Sequence, residues 1–457
     1  LIRNYSLAVV GILTNDKKYT TIMRKNPPMP KNNSRIINAW ATYDWANSVY
    51  NLVITTTIFP IFFNQATRAA FGSEKVDFFG MTIENTVLYS YAIALSYLII
   101  ALISPPLSAM ADYGGTKKRF MQFFTYLGAG ACLCLFFFDG TNVELGIICA
   151  SVASIGYAGG MIFYNAFLPE IATEDKYDSV SAKGFAFGYI GSVILQVLNI
   201  GMTLKPEFFG FADAAEGSRW SFLSVGIWWI VFAQIPFYFL KDNPPSNPVK
   251  VDWFKKGFEE LSMVWKEAQK LPSLLKFLIS FFFFNMGVQT VMFMASLFGE
   301  KELHLETASL IAIILIIQVV AIFGAYLFAK VSDKKGNIFA LTVLIILWIL
   351  ICVLAYFVQT AEHFYALAIL VGLVMGGIQS LSRSTYSKLL PKDTPDTASY
   401  FSFFNVADRL STSIGMGVFA LIEDYSESMR NGIFALTIFF VIGLIVLLQI
   451  NRKAIKL

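Results

Sequence analysis

The sequence predicts an all-α membrane protein of twelve transmembrane helices, arranged as two pseudo-symmetric six-helix bundles. Three observations carry that reading. The 457-residue chain is 56% hydrophobic and only 14% charged, whereas a soluble globular chain is about 25% charged. Its apolar stretches are continuous rather than alternating, and many reach the roughly 18 residues that a hydrocarbon core of about 30 Å demands. Continuous stretches select helices over barrel strands. Finally, one loop signature occurs in each half. Asp112-Tyr113-Gly114-Gly115 and Asp333-Lys334-Lys335-Gly336 each place Asp-x-x-Gly between two apolar stretches, about 221 residues apart. Tyr164 to Pro169 and Tyr386 to Pro391 repeat that register at about 222 residues, as parallel duplication of a six-helix unit requires.

Residues 1–35 read as a polar, basic cytoplasmic segment broken by Pro27, Pro28 and Pro30. The apolar patch Leu7 to Leu13 is too short to span and has no small-residue cleavage site, and translation is expected to start at Met23 or Met29. The first bundle, 36–240, holds spans near 38–63, 87–110, 120–138, 145–168, 182–204 and 219–240. A linker over 241–273 opens with Asp242-Asn243-Pro244-Pro245, where two prolines stop span six. Trp253, Phe254, Phe258, Leu261, Trp265 and Ala268 then recur at helical spacing, with Lys255, Lys256, Lys266 and Lys270 on other faces. That pattern predicts an interfacial helix lying in membrane lipid; a docking segment for a soluble partner is the alternative. The second bundle, 274–450, holds spans near 274–297, 307–329, 338–358, 364–387, 399–421 and 432–450, and 451–457 is a short tail. The expected outside loops hold only Arg68, Lys75, Lys205, Arg219, Lys301 and Arg430. The other basic residues therefore place both termini in the cytoplasm, with the protein in the cell (inner) membrane. The loop after span four fits this poorly, because Glu170, Glu174, Asp175 and Asp178 outnumber Lys176 and Lys183.

An ionisable side chain in a bilayer must face protein or water, so each one within a span marks a candidate site. Asp44 lies about two turns inside span one, in Tyr43-Asp44-Trp45-Ala46-Asn47-Ser48. Asp44, Asn47 and Ser48 share a sector through their three- and four-residue spacing. Two readings stay open for Asp44: a cavity ligand for a substrate ammonium or a proton, or a counter-ion for a neighbouring span. Asp408 and Arg409 fall near the middle of span eleven. Adjacent helical residues point about 100° apart, so each is expected to pair with another helix, with Asp44 a candidate for Arg409. Span ten contributes Gly376, Gly377, Gln379, Ser380 and Arg383. The glycines permit close approach or local unwinding; Arg383 either meets a carboxylate in bidentate fashion or snorkels. Asn285 and Gln289 in span seven, with Tyr164 and Asn165 in span four, complete the set.

The repeated loops have a mechanical reading. Asp112 precedes a tight turn that Gly115 permits, and Asp333 stands likewise before Gly336. An aspartate docked on the partially positive start of another helix makes a contact that breaks when the cytoplasmic side opens. These four residues are therefore candidate gating positions; the alternative is an aspartate that only orients its turn. Cys132, Cys134, Cys149 and Cys352 all lie in apolar segments, and Cys132-x-Cys134 has the wrong spacing for zinc. No metal site, cofactor or disulfide framework is implied. His304 and His363 fall in short polar loops.

Ala111-Asp112-Tyr113-Gly114-Gly115 followed by Lys117 resembles the loop after the second helix in the major facilitator superfamily. Tyr113 departs from it, standing where a basic residue is usual; Lys334 fills that place in the second copy. Tyr43 to Ser48, Tyr164 to Glu170 and Gly376 to Ser384 look like one branch, the unknown major facilitator family that includes the fungal vacuolar effluxers of the autophagy pathway. This resemblance covers about 36–450 and implies the major facilitator fold. Spans one, four, seven and ten would line a central cavity, and two, five, eight and eleven would form sliding interfaces. Family members often carry an acidic residue before the span-seven glycine; here the order is Asn285-Met286-Gly287. The fungal relatives imply amino-acid export.

Together these features imply a secondary active or facilitative transporter that moves a small polar solute by alternating access. An amino acid or related metabolite is a candidate solute, and a coupling proton a candidate co-substrate. The protein is expected to act as a monomer, without nucleic acid. No phosphate-cradling loop is present to support ATP coupling. The alternative, a membrane sensor or membrane-embedded enzyme on a transporter-like scaffold, would call for a large soluble domain or clustered His, Cys or paired carboxylates at one depth.

Overall fold

The computed structural model describes residues 27–243, 252–426 and 428–450. The patch Leu7 to Leu13, Met23, Pro244, Pro245 and the tail 451–457 lie outside the described residues. The first half contains α1 (Ser34–Phe71), α2 (Asn85–Gly114), α3 (Lys117–Phe137), α4 (Val143–Ala166), α5 (Tyr177–Leu204) and α6 (Ala214–Phe239). The second contains α7 (Pro272–Leu303), α8 (Thr307–Lys335), α9 (Asn337–Phe357), α10 (Ala361–Leu389), α11 (Thr397–Ser426) and α12 (Met429–Leu448). Among the described residues eleven helices are long and apolar enough to cross a membrane. The exception is α11, which is 30 residues long but gives up apolar character to Asp408, Arg409 and a run of hydroxyl residues.

Local chemistry explains where the helices differ from their expected bounds. Asn33 caps α1 by accepting the N–H groups of Arg35 and Ile36, so the helix starts at Ser34 rather than near 38. Within α1, Asn51–Thr57 winds as a π-helix. There the Thr56 and Thr57 hydroxyls donate back to the Leu52 carbonyl at 2.8 and 2.6 Å. The α1–α2 loop is not structureless: Lys75–Phe78 (β1) and Met81–Glu84 (β2) pair antiparallel. Phe79 and Gly80, with φ of 50° and 81°, form the positive-φ turn that such a hairpin favours. At the other end of α2, Asp242 accepts the Lys118 N–H at 2.7 Å, tying the end of α6 to the start of α3. Burial pushes the Asp242 carboxyl above the usual carboxylate range.

The halves meet where α2 packs on α11 and α5 on α8. The linker helix, Trp253–Ala268, lies against α2 with Val264 and Ala268 buried, and Trp265 reaches the Phe403 ring of α11 at 5.4 Å. Phe258 and Met263 remain exposed. Within the second half α8 and α10 approach backbone to backbone. A Cβ on Gly376 would stand 2.0 Å from the Ala321 carbonyl oxygen, and one on Gly324 equally close to that of Leu373. The α10 glycines thus serve close approach, and the helix runs unbroken through them. Gly376→Ala is expected to destabilise the protein by about 1–3 kcal/mol through overpacking. Gly130→Ala, where the added methyl meets open space, should leave stability equal or higher. Melting temperatures of the two purified variants check the contrast.

Candidate functional site

In the last two turns of α10, Arg383 reaches across into the first half. Its Nη1 donates to Asp44 Oδ2 and to Asn165 Oδ1, both at 3.2 Å. Its Nε donates to Ser181 Oγ at 2.9 Å and its Nη2 to the Ser181 carbonyl at 2.8 Å. The Ser181 hydroxyl in turn donates to the Ser380 carbonyl at 2.7 Å, and the Tyr164 hydroxyl donates to Asp44 Oδ2 at 2.7 Å. Trp40 and Phe185 present ring faces to the guanidinium at 4.9 and 4.3 Å. The side chains of Arg383 and Asp44 are only 2% and 4% exposed. At that depth the charges must satisfy each other, because either one alone would be an uncompensated buried ion.

Beside this pair is a cavity of about 150 Å³ lined from both halves. Asn51, Tyr97, Tyr157 and Asn165 face it from one side, and Asn285, Gln289, Asp408 and Arg409 from the other, with Phe281, Phe284 and Phe404 as apolar wall. Asp408 is held by Asn285 Nδ2 at 2.9 Å and by Gln289 Nε2 at 3.4 Å. Arg409 lies over the rings of Tyr97 and Tyr157, at 4.6 and 6.0 Å.

The face carrying the Asp-x-x-Gly loops, here termed the basic face, is tied shut. Asp112 accepts the N–H groups of Ala398 and Ser399 at 3.1 and 2.7 Å, across the halves at the first turn of α11. The positive end of that helix dipole favours the carboxylate. Lys117 adds four contacts: Asp112 at 2.9 Å, Glu170 and Thr397 Oγ1 at 2.6 Å, and the Pro395 carbonyl at 3.2 Å. The second tie is built differently. Asp178, at the start of α5, accepts from Ser332 Oγ (2.9 Å), Asn337 Nδ2 (2.8 Å) and Lys388 Nζ (2.7 Å) of the other half. Among the described residues, the hydrogen bonds and ion pairs between halves run from this rim to the mid-depth contact of Tyr189 with Gln379. A larger recess of about 630 Å³ opens at the rim, and its Asp112, Lys117 and Glu170 are already engaged in the first of these ties.

A helix bundle of this topology, with a charged cavity between its halves, invites comparison with known transporters. Residues 32–456 match the family described as vacuole effluxer Atg22 like. The chain belongs to that family. It is 32% identical over 418 residues to an uncharacterized MFS-type transporter, YxiO, of Bacillus subtilis (strain 168), covering 90% of this chain and 93% of that protein. Autophagy-related protein 22 of Yarrowia lipolytica is 23% identical over 467 residues, covering 82% and 78%. The fold is shared with the human organic anion transporter MFSD10, at a TM-score of 0.68 and 13% identity over 90% and 99% of the two chains. It is shared also with the major facilitator superfamily transporter FucP in its outward conformation, at 0.67 and 14% over 92% and 98%. This Atg22-like protein is therefore a major facilitator transporter and not an enzyme.

The structure sorts the residues singled out from the sequence. Asn165, Asn285, Gln289, Arg383, Asp408 and Arg409 line the cavity, and Asp44 and Tyr164 stand behind Arg383. Tyr43 and Asn47 do not face the cavity: Tyr43 OH meets Thr125 Oγ1 at 2.8 Å, and Asn47 donates to Met161 Sδ at 3.0 Å. Ser48 packs against Gly188, and the Ser380 hydroxyl turns back to its own helix. Asp44 is the partner of Arg383, not of Arg409, and Arg383 is buried rather than snorkelling. Arg409 has Asp408 as its neighbouring charge, at 3.6 Å, because the long guanidinium arm bends back over the angle separating adjacent residues. Gly115 (φ 60°) and Gly336 (φ 87°) supply their turns as expected. Asp333 is exposed; its place in the tie falls to Ser332, because Asp178 already brings a carboxylate to that helix start and a second would be repelled. Sequence reasoning missed Ser181, Lys388 and Asp178, although Asp178 belongs to the acidic excess that fitted the charge rule poorly.

Two expectations follow for the variants. Arg383→Gln should strand Asp44 and cost about 3–5 kcal/mol, with much of that loss recovered in Arg383→Gln/Asp44→Asn; a double-mutant cycle on thermal stability measures it. Asp112→Asn and Asp178→Asn should each raise accessibility of a cysteine placed at Ser181 to reagent applied from the basic face, whereas Asp333→Asn should change it little.

Proposed function

We propose that this Atg22-like transporter carries a small polar solute, with an amino acid or related metabolite the leading class, by alternating access across the cell membrane. The observation that carries this reading is the cavity itself: it holds charges of both signs, is lined from both halves, and lies behind a face tied shut by buried contacts between them. Both halves of one chain line the cavity, and a monomer is the proposed transporting unit. The concentration of Lys and Arg on the basic face supports placing that face in the cytoplasm. On that assignment the described state is closed to the cytoplasm. Opening it requires the Asp112, Asp178 and Arg383 contacts to part together, so any solute that drives the change must favour the state in which they are broken.

Asp44 acts in this scheme as the fixed counter-ion of Arg383 and as part of the tie. Reconstituted protein should exchange radiolabelled amino acids in a counterflow assay against a panel that also contains organic acids and dipeptides; exchange of none of them would overturn the proposal. In the same liposomes Asp44→Asn should lose counterflow and pH-gradient-driven accumulation together. Retained counterflow with lost accumulation would instead assign proton carriage to Asp44. Single cysteines at Ser73 and Lys334 should label from opposite sides of the membrane.

A further inference from the structure

The two arginines that reach the cavity are in opposite conditions. Each nitrogen of Arg383 already has an acceptor, from Ser181, Asp44 or Asn165. Four of its five N–H donors are thus engaged in the tie, and it cannot turn its fork to a solute without opening that tie. Arg409 is built in the reverse way. Its guanidinium rests on Tyr97 and Tyr157, which hold it by their ring faces and accept none of its N–H groups. The Asp408 carboxylate stands 3.6 Å from Nε, outside hydrogen-bonding range. Asp408 is also held in place by Asn285 and Gln289. Arg409 Nε is buried without an acceptor. A guanidinium presents five donors in a planar fork that matches a carboxylate in bidentate fashion. A buried Nε left without an acceptor is costly unless something with the matching acceptor fills the place.

Two further atoms of the same cavity lack partners. Asn405 Oδ1, one turn before Arg409 on α11, and Ser382 Oγ of α10 are both buried without a hydrogen bond. Asn405 Oδ1 can only accept, so it suits a donor on the solute. The neighbouring Asp408 charge offsets that of Arg409, which favours a monoanion or a zwitterion over a dianion. We infer that Arg409 is the carboxylate receptor of the cavity. On this assignment the solute's carboxylate lies on the guanidinium, and an amino or hydroxyl group on its adjacent carbon donates to Asn405. This rests on the transporter reading above and names the group that selects within it.

The test uses the full-length protein in nanodiscs with L-valine, 2-hydroxy-3-methylbutanoate and L-valinamide as probes, read by thermal shift and isothermal titration. The two carboxylates should bind wild type and the amide should bind at least about tenfold more weakly. Arg409→Gln should bind valine roughly tenfold to a hundredfold more weakly, with Arg409→Lys between. A second measurement needs no variant: phenylglyoxal should modify Arg409 but not Arg383 in wild type, and valine should slow that modification, as read by peptide mass spectrometry. Equal binding of valine and valinamide would overturn the assignment. So would full valine affinity in Arg409→Gln, or no binding of either carboxylate. Binding that follows this pattern without counterflow would instead count against transport and leave the receptor standing.

Discussion

A guanidinium with no access to water must be neutralised where it lies, and in this molecule the carboxylate that neutralises Arg383 comes from the other half of the chain. That requirement organises the centre of the structure. It fixes the rotation of α1, so that Asp44 faces α10, and it fixes α5, whose Ser181 takes both remaining nitrogens of the fork. It also dictates the size of Gly184. A Cβ there would stand 2.8 Å from Arg383 Nη2, Asp44 Oδ2 and the Tyr164 hydroxyl at once, so only glycine lets α5 come this near. A buried ion pair is a poor source of stability, since well-packed apolar residues often do as well. Its physical advantage lies elsewhere. Both partners can be rehydrated when the halves part, so the contact holds one state firmly without making the other inaccessible.

The two rim ties show how a duplicated architecture need not stay chemically symmetric. Both occupy the same relative place, where the loop after the second helix of one half meets the first turn of the fifth helix of the other. In the first, the loop supplies the carboxylate and the helix its bare N–H groups. In the second, the helix supplies the carboxylate through Asp178 and the loop region supplies donors through Ser332 and Asn337, with Lys388 joining from α10. Each arrangement satisfies the positive helix start with one negative charge. In the second no lysine comparable to Lys117 stands between two carboxylates, and Asp333 turns out to solvent although its motif matches that of Asp112.

The number of long helices and the two-half plan were legible because hydrocarbon thickness and repeat spacing leave few other solutions. The docking of Asp112 on a helix start was legible too, since a turn aspartate beside an unsatisfied N–H row has a general electrostatic reason to sit there. Pairings that depend on helix rotation were not. Asp44 and Arg383 are 339 positions apart, and nothing local tells which of the two cavity arginines Asp44 will face. The hairpin was read as loop because two four-residue strands leave no sustained alternation, and the cue lay in Phe79-Gly80. Tyr43 was assigned to the cavity from the motif it shares with Asp44, and Asn47 and Ser48 from their three- and four-residue spacing to it. In the folded protein that face of α1 is covered by α3, α4 and α5.

The π-helical stretch Asn51–Thr57 gives α1 two angular phases. An extra residue per turn there advances everything beyond it relative to an ideal helix, so the sector that holds Asp44 does not continue into the sector that holds Phe59 and Phe63. Asn51 reaches the cavity at the seam between them. Removing one residue from this stretch would restore a uniform pitch and swing the far end of α1 by about 100°, taking Phe59 and Phe63 out of the aromatic cluster they form with Phe138 and Phe222. The helix is therefore intolerant of a shortening that its apolar composition alone would accept, and its length in residues is set by phase as well as by bilayer thickness.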